Sequence, residues 1–204
     1  MEKVWFTADT HFNHTSIIKH CNRPFFTVLE MNEKIINNWN EDVSRSDTVF
    51  ILGDFAWNNH GHFVGSLKGK KILVTGSHDK MSQAVYNKFT EVHKVILLVP
   101  FNNNRFFLTH CPMLTWEGSH HGSINLHGHA HGRISEFDNK RRMDVGVDVW
   151  NFNPVPLGLI SDIMNKRSFK HEDESLQNAN DLLRKDYLIK RNTELLKTFN
   201  EGRI

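Results

Sequence analysis

The 204-residue sequence predicts an α/β fold, a mixed β-sheet sandwich flanked by helices with a helical C-terminal extension. Three observations lead there. Short runs rich in Val, Ile, Leu and Phe are each followed at once by Gly or polar residues, the pattern of buried strands ending in loops. Helix-like stretches separate those runs in the first half of the chain, as layered α/β folds require. From residue 92 onward the runs crowd together, a spacing that allows antiparallel pairing.

In chain order, Val4-Trp5-Phe6-Thr7 is the first strand and leads into Ala8-Asp9. Glu30 to Val43 places Met31, Ile35, Trp39 and Val43 four apart, the apolar stripe of one helix. Thr48 to Leu52 leads into Gly53-Asp54, and Lys71 to Thr75 into Gly76. Ser82 to Phe89 is a shorter helix candidate, and Val92 to Val99 reads as a single further strand. Arg105 to Thr109 precedes His110, Ile124 to Leu126 precedes His127, and Met143 to Asp148 alternates faces as a strand does. After Pro154 and Pro156 the strand-like runs cease. The chain therefore divides into a main domain, residues 1–165, and a helical extension, residues 166–204. From Lys170 onward seven Lys/Arg balance seven Asp/Glu, so the extension is expected to pack on its own domain, with a homo-oligomer through this helix as the alternative.

Composition removes several function classes. A hydrophobic content of 39% and charged content of 24% exclude collagen-like and disordered chains. The net charge of +2 is too small for bulk electrostatic binding, so a large nucleic acid is not indicated as a partner. No apolar stretch approaches the roughly 20 residues that span a bilayer, and the opening Met1-Glu2-Lys3-Val4-Trp5 does not read as a signal peptide. Two cysteines, Cys21 and Cys111, make no disulfide framework, which points to reduced thiols in the cytoplasm; Cys111 is expected to be buried. Fourteen histidines are the outlier and raise the weight of metal or acid–base chemistry.

Taken singly, the polar motifs are weak, since this composition yields roughly 0.8 Asp-x-His triplets by chance and Asp9-Thr10-His11 is the one present. Position distinguishes them. Asp9/His11, Asp54, Gly76-Ser77-His78-Asp79, His110 and His127/His129 each follow a strand-like run, where α/β folds gather loops into a site. Imidazole and carboxylate donors suit Mn²⁺, Fe or Zn²⁺, and their number exceeds what one four-coordinate ion needs. Two ions are implied, with Asp54 as the natural bridge, and an ion pair of that kind suits phosphate esters.

In order and spacing, these five motifs resemble the calcineurin-like metallophosphoesterases, from about residue 4 to about residue 150. The Asp9 to His14 opening and the Asp144 to Trp150 run look like the compact bacterial and phage-encoded branch. The resemblance implies a four-layer α/β/β/α arrangement and two divalent ions, Mn²⁺ foremost with Fe, Zn²⁺ or Ni²⁺ as alternatives. Asp9, His11, Asp54 and His129 would hold the first ion, and Asp54, Ser77, His110 and His127 the second. His78 would be the general acid, Asp79 would orient its ring, and a metal-bridging hydroxide would be the nucleophile. The family carries Asn where this chain has Ser77, a poorer ligand, so weaker binding of the second ion is expected.

His14 and Arg23 are candidates for holding the substrate, against the plainer readings of a loop histidine and a salt-bridging arginine. Phe25/Phe26 and Trp116 are aromatic candidates for a nucleobase, weighed against core packing. His131 ranks below the ligands, Asp144 and Asp148 are expected to be structural, and His60/His62 read as loop histidines. The expected function is hydrolysis of a phosphodiester in a small-molecule or nucleotide-like substrate. The alternatives are a phosphomonoesterase, a catalytically weakened metal-binding scaffold, and a mononuclear metal-binding protein.

Overall fold

The computed structural model describes residues 2–94, 96–101, 104–134 and 141–167, all within one compact unit spanning Met1–Phe169. Apart from residues 166 and 167, the expected helical extension lies outside the described residues.

One sheet is built from β1 (Val4–Thr7), β2 (Thr48–Ile51), β3 (Lys70–Val74), β4 (Glu91–His93) and β9 (Val155–Pro156), in the order β4-β3-β2-β1-β9. Its first four strands are parallel and β9 pairs antiparallel to β1. The second sheet contains β5 (Ile96–Phe101), β6 (Asn104–Thr109), β7 (Ile124–His127) and β8 (Arg142–Asp144), in that order. A bridge between Ala8 and Gly146 joins the two just beyond the ends of β1 and β8.

The alternation of side chains along each strand explains the layers. Trp5, Val49, Ile51 and Leu73 share one buried cluster with Met31, Ile35 and Trp39 of the helix α2 (Val28–Asp42). Their neighbours Phe6, Phe50, Ile72 and Val74 point the other way and meet Phe106, Leu108, Ile124 and Leu126 of the second sheet. Phe6 stacks on Phe50 at 5.3 Å between ring centroids and on Phe106 at 6.0 Å, so one ring spans the interior of the sandwich. Helix α2 starts where the Thr27 hydroxyl accepts the Glu30 N–H and the Glu30 carboxylate accepts the Phe26 N–H. The result is a mixed α/β architecture of two mixed sheets flanked by helices, as the alternating pattern predicts.

The differences in detail have physical causes. The run from Val92 to Val99 is two strands in different sheets, with His93 ending the first and Lys94 following it before β5 begins at Ile96. Within the second sheet β5 and β6 alone pair antiparallel; the 14 residues between β6 and β7 allow a crossover, and β6, β7 and β8 are parallel. The expected strand Met143 to Asp148 stops at Asp144, whose carboxylate accepts the Gly146 N–H and turns the chain. The helices α1 (Thr15–His20), α3 (His60–Ser66) and α5 (Leu157–Lys166) add to the predicted α2 and the short α4 (Gln83–Tyr86). His60 and His62 therefore stand on a helix and not in a loop. Helix α5 buries Ile160 and Met164 in the core between the sheets. Among the described residues no helix is long and apolar enough to cross a membrane.

Candidate metal centre

Loops following β1, β2, β3, β6 and β7 meet at one end of the sandwich. Backbone bonds from Asp9 to the Gly53 carbonyl and from His11 to the Asp54 carbonyl, both 3.0 Å, lace the first loop to the second. Asp9, His11, Asp54 and His129 all adopt left-handed backbone, with φ between 49° and 66°. Such conformations are uncommon outside glycine, and their clustering marks a site the surrounding structure holds under strain. Glycine is required where the loops touch: a Cβ on Gly76 would lie 2.4 Å from Asp54 Oδ1, and one on Gly128 2.5 Å from Asp9 Oδ2.

Around Asp54 Oδ2 lie His110 Nε2 at 3.4 Å, His11 Nε2 at 3.6 Å and His78 Nε2 at 3.9 Å. His129 Nδ1 approaches His110 Nε2 at 3.2 Å, and Asp9 Oδ1 stands 3.9 Å from His110 Nδ1. Asp9, Asp54 and His110 form one converging group of ligand atoms, Asp9, His11 and His131 a second, and His110, Cys111 and His129 a third. Two of these atoms, Asp9 Oδ1 and His11 Nε2, are buried with no hydrogen-bond partner among the described residues.

Hydrogen bonding explains which ring nitrogens face inward. His110 Nδ1 lies 2.9 Å from the Leu52 carbonyl, which can only accept, so Nδ1 carries a proton and Nε2 is the nitrogen turned toward Asp54. His131 Nδ1 donates to Asp148 at 2.7 Å, and His127 Nδ1 to the Gly128 carbonyl at 2.9 Å. For His11, a chain runs from its Nδ1 to His14 Nδ1 (3.2 Å) and from His14 Nε2 to Ser16 Oγ (2.9 Å). That chain holds the His11 ring by Nδ1 and leaves Nε2 facing Asp54. Imidazoles held by one nitrogen and presenting the other are the arrangement of metal-ligating histidines. These buried His and Asp groups fit a divalent cation, and the centre can hold metal.

The electrostatics agree. Burial raises the Asp9 carboxyl to about 7 and lowers His11 to about 3, so His11 is neutral and its contact with Asp54 is not an ion pair. Burial pushes Asp54 upward, but the hydrogen bond and charge of His110, with the His78 N–H, hold it below the usual carboxylate range. His110 is raised to about 9 against burial by the same Asp54 partnership.

The remaining expected site residues fall into place unequally. His127 is buried at the end of β7 and stands outside the converging groups, and Ser77 is exposed on the turn after β3. His78 sits on the same turn at the rim, its side chain 42% exposed, with its backbone N–H donated to Asp54 Oδ1 at 2.9 Å. Asp79 does other work than the expected orientation of the His78 ring. It is buried, and its carboxylate accepts the backbone N–H groups of Asp54, Phe55 and Gly76, each at 2.8 Å, which clamps the two loops together. His14 orients His11 and does not project into open space. His131 and Asp148 are the partners that spacing ranked too low, although the His127-x-His129-x-His131 run was visible. Cys111 is exposed, not buried as expected, and its thiol is raised by partial burial and then by the Asp54 and Asp9 charges. Trp116 is buried, with its indole N–H on Ser123, and Phe25 packs on Phe152, so neither is a free stacking surface.

Arg23 is corrected more sharply. Its side chain is fully buried, forms a two-point pair with Asp148 at 2.8 Å, and donates to the carbonyls of Asp9 and Thr10. It fixes the first loop and is not placed to grip substrate. Arg23→Ala is expected to lower unfolding free energy by about 3 kcal/mol, because Asp148 would keep only its His131 partner and the Asp9 and Thr10 carbonyls would lose their donor. Chemical denaturation checks this; a raised KM with unchanged stability would return Arg23 to the substrate.

Fold and site together define a two-sheet α/β protein with a cluster of histidines and aspartates at the strand ends that can hold metal. No family model matches the chain. It is 36% identical to the uncharacterized protein MJ1445 of Methanocaldococcus jannaschii, an alignment covering 81% of this chain and 93% of that protein. The chain belongs to the same family as MJ1445. Among solved structures, a protein of unknown function, AQ665 from Aquifex aeolicus, shares the fold at 22% identity and a TM-score of 0.67, covering 80% of this chain and 100% of that one. Likeness to the Escherichia coli phosphoesterase Yfce, at 19% identity and a TM-score of 0.37 over 71% of this chain and 78% of that one, is too slight to bear on function.

Proposed function

We propose that this protein is a metal-dependent phosphoester hydrolase of the calcineurin-like type, acting as a phosphodiesterase on a small or nucleotide-like substrate. The observation that carries the reading is the pair of buried, unpartnered atoms, Asp9 Oδ1 and His11 Nε2, turned toward Asp54 and His110. A buried polar atom without a partner is costly to a fold, and a cation gathers such atoms at once. Asp9, His11, Asp54 and His129 would hold one ion, and Asp54, Ser77, His110 and His127 the other. Mn²⁺ is the first candidate. When bound, the ions supply charge to the phosphoryl oxygens and lower the pKa of a coordinated water.

The protein's own residues supply the rest. Asp79 holds the Asp54 and Gly76 loops in register, and Arg23 holds Asp9 and Thr10. His78, beside Asp54 and open to solvent, donates a proton to the leaving oxygen as the P–O bond breaks, so that an alcohol and not an alkoxide departs. Free Cys21 and Cys111 suit a reducing cytoplasm.

Elemental analysis of the purified protein, paired with turnover of bis-p-nitrophenyl phosphate and p-nitrophenyl phosphate in added Mn²⁺, tests the reading. Two ions per chain and faster diester cleavage are expected. One ion per chain without hydrolysis would overturn it, and faster monoester cleavage would make the protein a phosphomonoesterase. Ser77→Asn is expected to tighten the weaker ion by roughly 10- to 100-fold, the scale on which supporting groups of metal sites act. A metal titration shows whether it does; no tightening and no gain in turnover would remove Ser77 from the second site.

A further inference from the structure

Trp57 stands three residues after Asp54 and was not singled out by the sequence pattern. It is 52% exposed, so part of the indole is open to a ligand. Its position is fixed and not incidental. The Trp57 N–H donates to the Phe12 carbonyl at 2.8 Å, and the bridge between Phe12 and Ala56 joins the same two loops that carry His11 and Asp54. The His14 ring lies against one face of the indole, 4.4 Å away and within 12° of parallel. His14 is in turn bonded to His11, so the indole is braced against the metal centre itself. The His78 ring is 5.5 Å from the indole, inclined at 46°, and both are open to solvent.

A rigid, half-exposed indole beside the proton donor lies on the leaving-group side of the reaction. Flat heteroaromatic groups stack on such a surface, and the phosphoesters that carry them are nucleotides. We infer that Trp57 is the platform for a nucleobase on the leaving group, making a nucleoside phosphoester the substrate class. The inference rests on the phosphoester reading above and deepens it: the metal centre holds the phosphoryl group, while Trp57, stiffened by His14, selects what is attached to it. Without a base, the leaving group has nothing to place against the indole.

Non-cleavable probes separate binding from turnover. The probes are inorganic phosphate, and the phosphonates of adenosine and of ribose in which a methylene replaces the 5′ ester oxygen. Their affinities for the metal-loaded full chain are read by calorimetry. The adenosine phosphonate is expected to bind roughly 5- to 150-fold more tightly than the ribose phosphonate, the range a single stacked base contributes. In Trp57→Leu that ratio should fall to within about twofold, and Trp57→Phe should restore part of it, with metal content confirming that both variants are folded and loaded. Equal affinities in the wild type, or a ratio that survives Trp57→Leu, overturn the inference while leaving the hydrolase reading standing. Failure of inorganic phosphate and both phosphonates to bind at all overturns the hydrolase reading and this inference with it.

Discussion

Asp54→Asn is expected to reduce phosphoester turnover by at least about 10³-fold and to leave the protein short of at least one ion per chain. The change is small in shape, since an amide can still accept the His78 N–H that Asp54 Oδ1 accepts at 2.9 Å. What it removes is the negative charge facing His110 at 3.4 Å and His11 at 3.6 Å. Asp54 is the carboxylate common to these contacts, so its neutralisation weakens both ion sites of the proposal together. Metal ions supply several kcal/mol of charge stabilisation in such reactions, and each 1.36 kcal/mol is a factor of ten in rate. Elemental analysis and steady-state kinetics on the same preparation check the prediction. A variant that keeps two ions and turns over within tenfold of wild type would show that Asp54 is not the bridge.

His78→Ala should behave differently: turnover falls by about 10²- to 10⁴-fold, the usual contribution of general acid catalysis, with metal content unchanged. The reason lies in where the residue attaches. Its backbone N–H, which survives in alanine, is what bonds to Asp54, whereas its ring stands 3.9 Å off at the exposed rim. A general acid matters most when the leaving group is a poor one. The loss should therefore be larger for an alkyl ester than for a p-nitrophenyl ester, whose phenolate departs readily without a proton. Loss of metal in this variant would make His78 a ligand, and equal losses for both esters would remove its role as proton donor.

Most of the frame could be read before the structure. The apolar runs around Trp5/Phe6 and Val49/Phe50, and the four-residue stripe Met31, Ile35, Trp39, were legible as strands and helix, while the assignment of each strand residue to one layer or the other came with the structure. The break inside Val92 to Val99 was not, because only the folded chain shows that β4 and β5 join different sheets. The donors of the centre were legible in the same way. Asp9, His11, Asp54, His110 and His129 each follow a strand, and parallel strands deliver their ends to one side. His131 was undervalued, because its partner Asp148 lies 17 residues away and only the folded chain brings them to 2.7 Å.

By itself, then, the sequence determined the kinds of atom that gather at the strand ends, since donor chemistry belongs to the side chain wherever it sits. Only the tertiary structure decided what each of those atoms does. Arg23 and Asp148 are separated by 125 positions, and the chain's packing turns a residue suited to phosphate into a buried strut. Asp79, adjacent to His78 in sequence, holds three backbone amides, and Trp57 emerges beside His78 from a different loop. A side chain's capacity to bond is local, but its partner is chosen by which distant loops the packing of two sheets brings within reach.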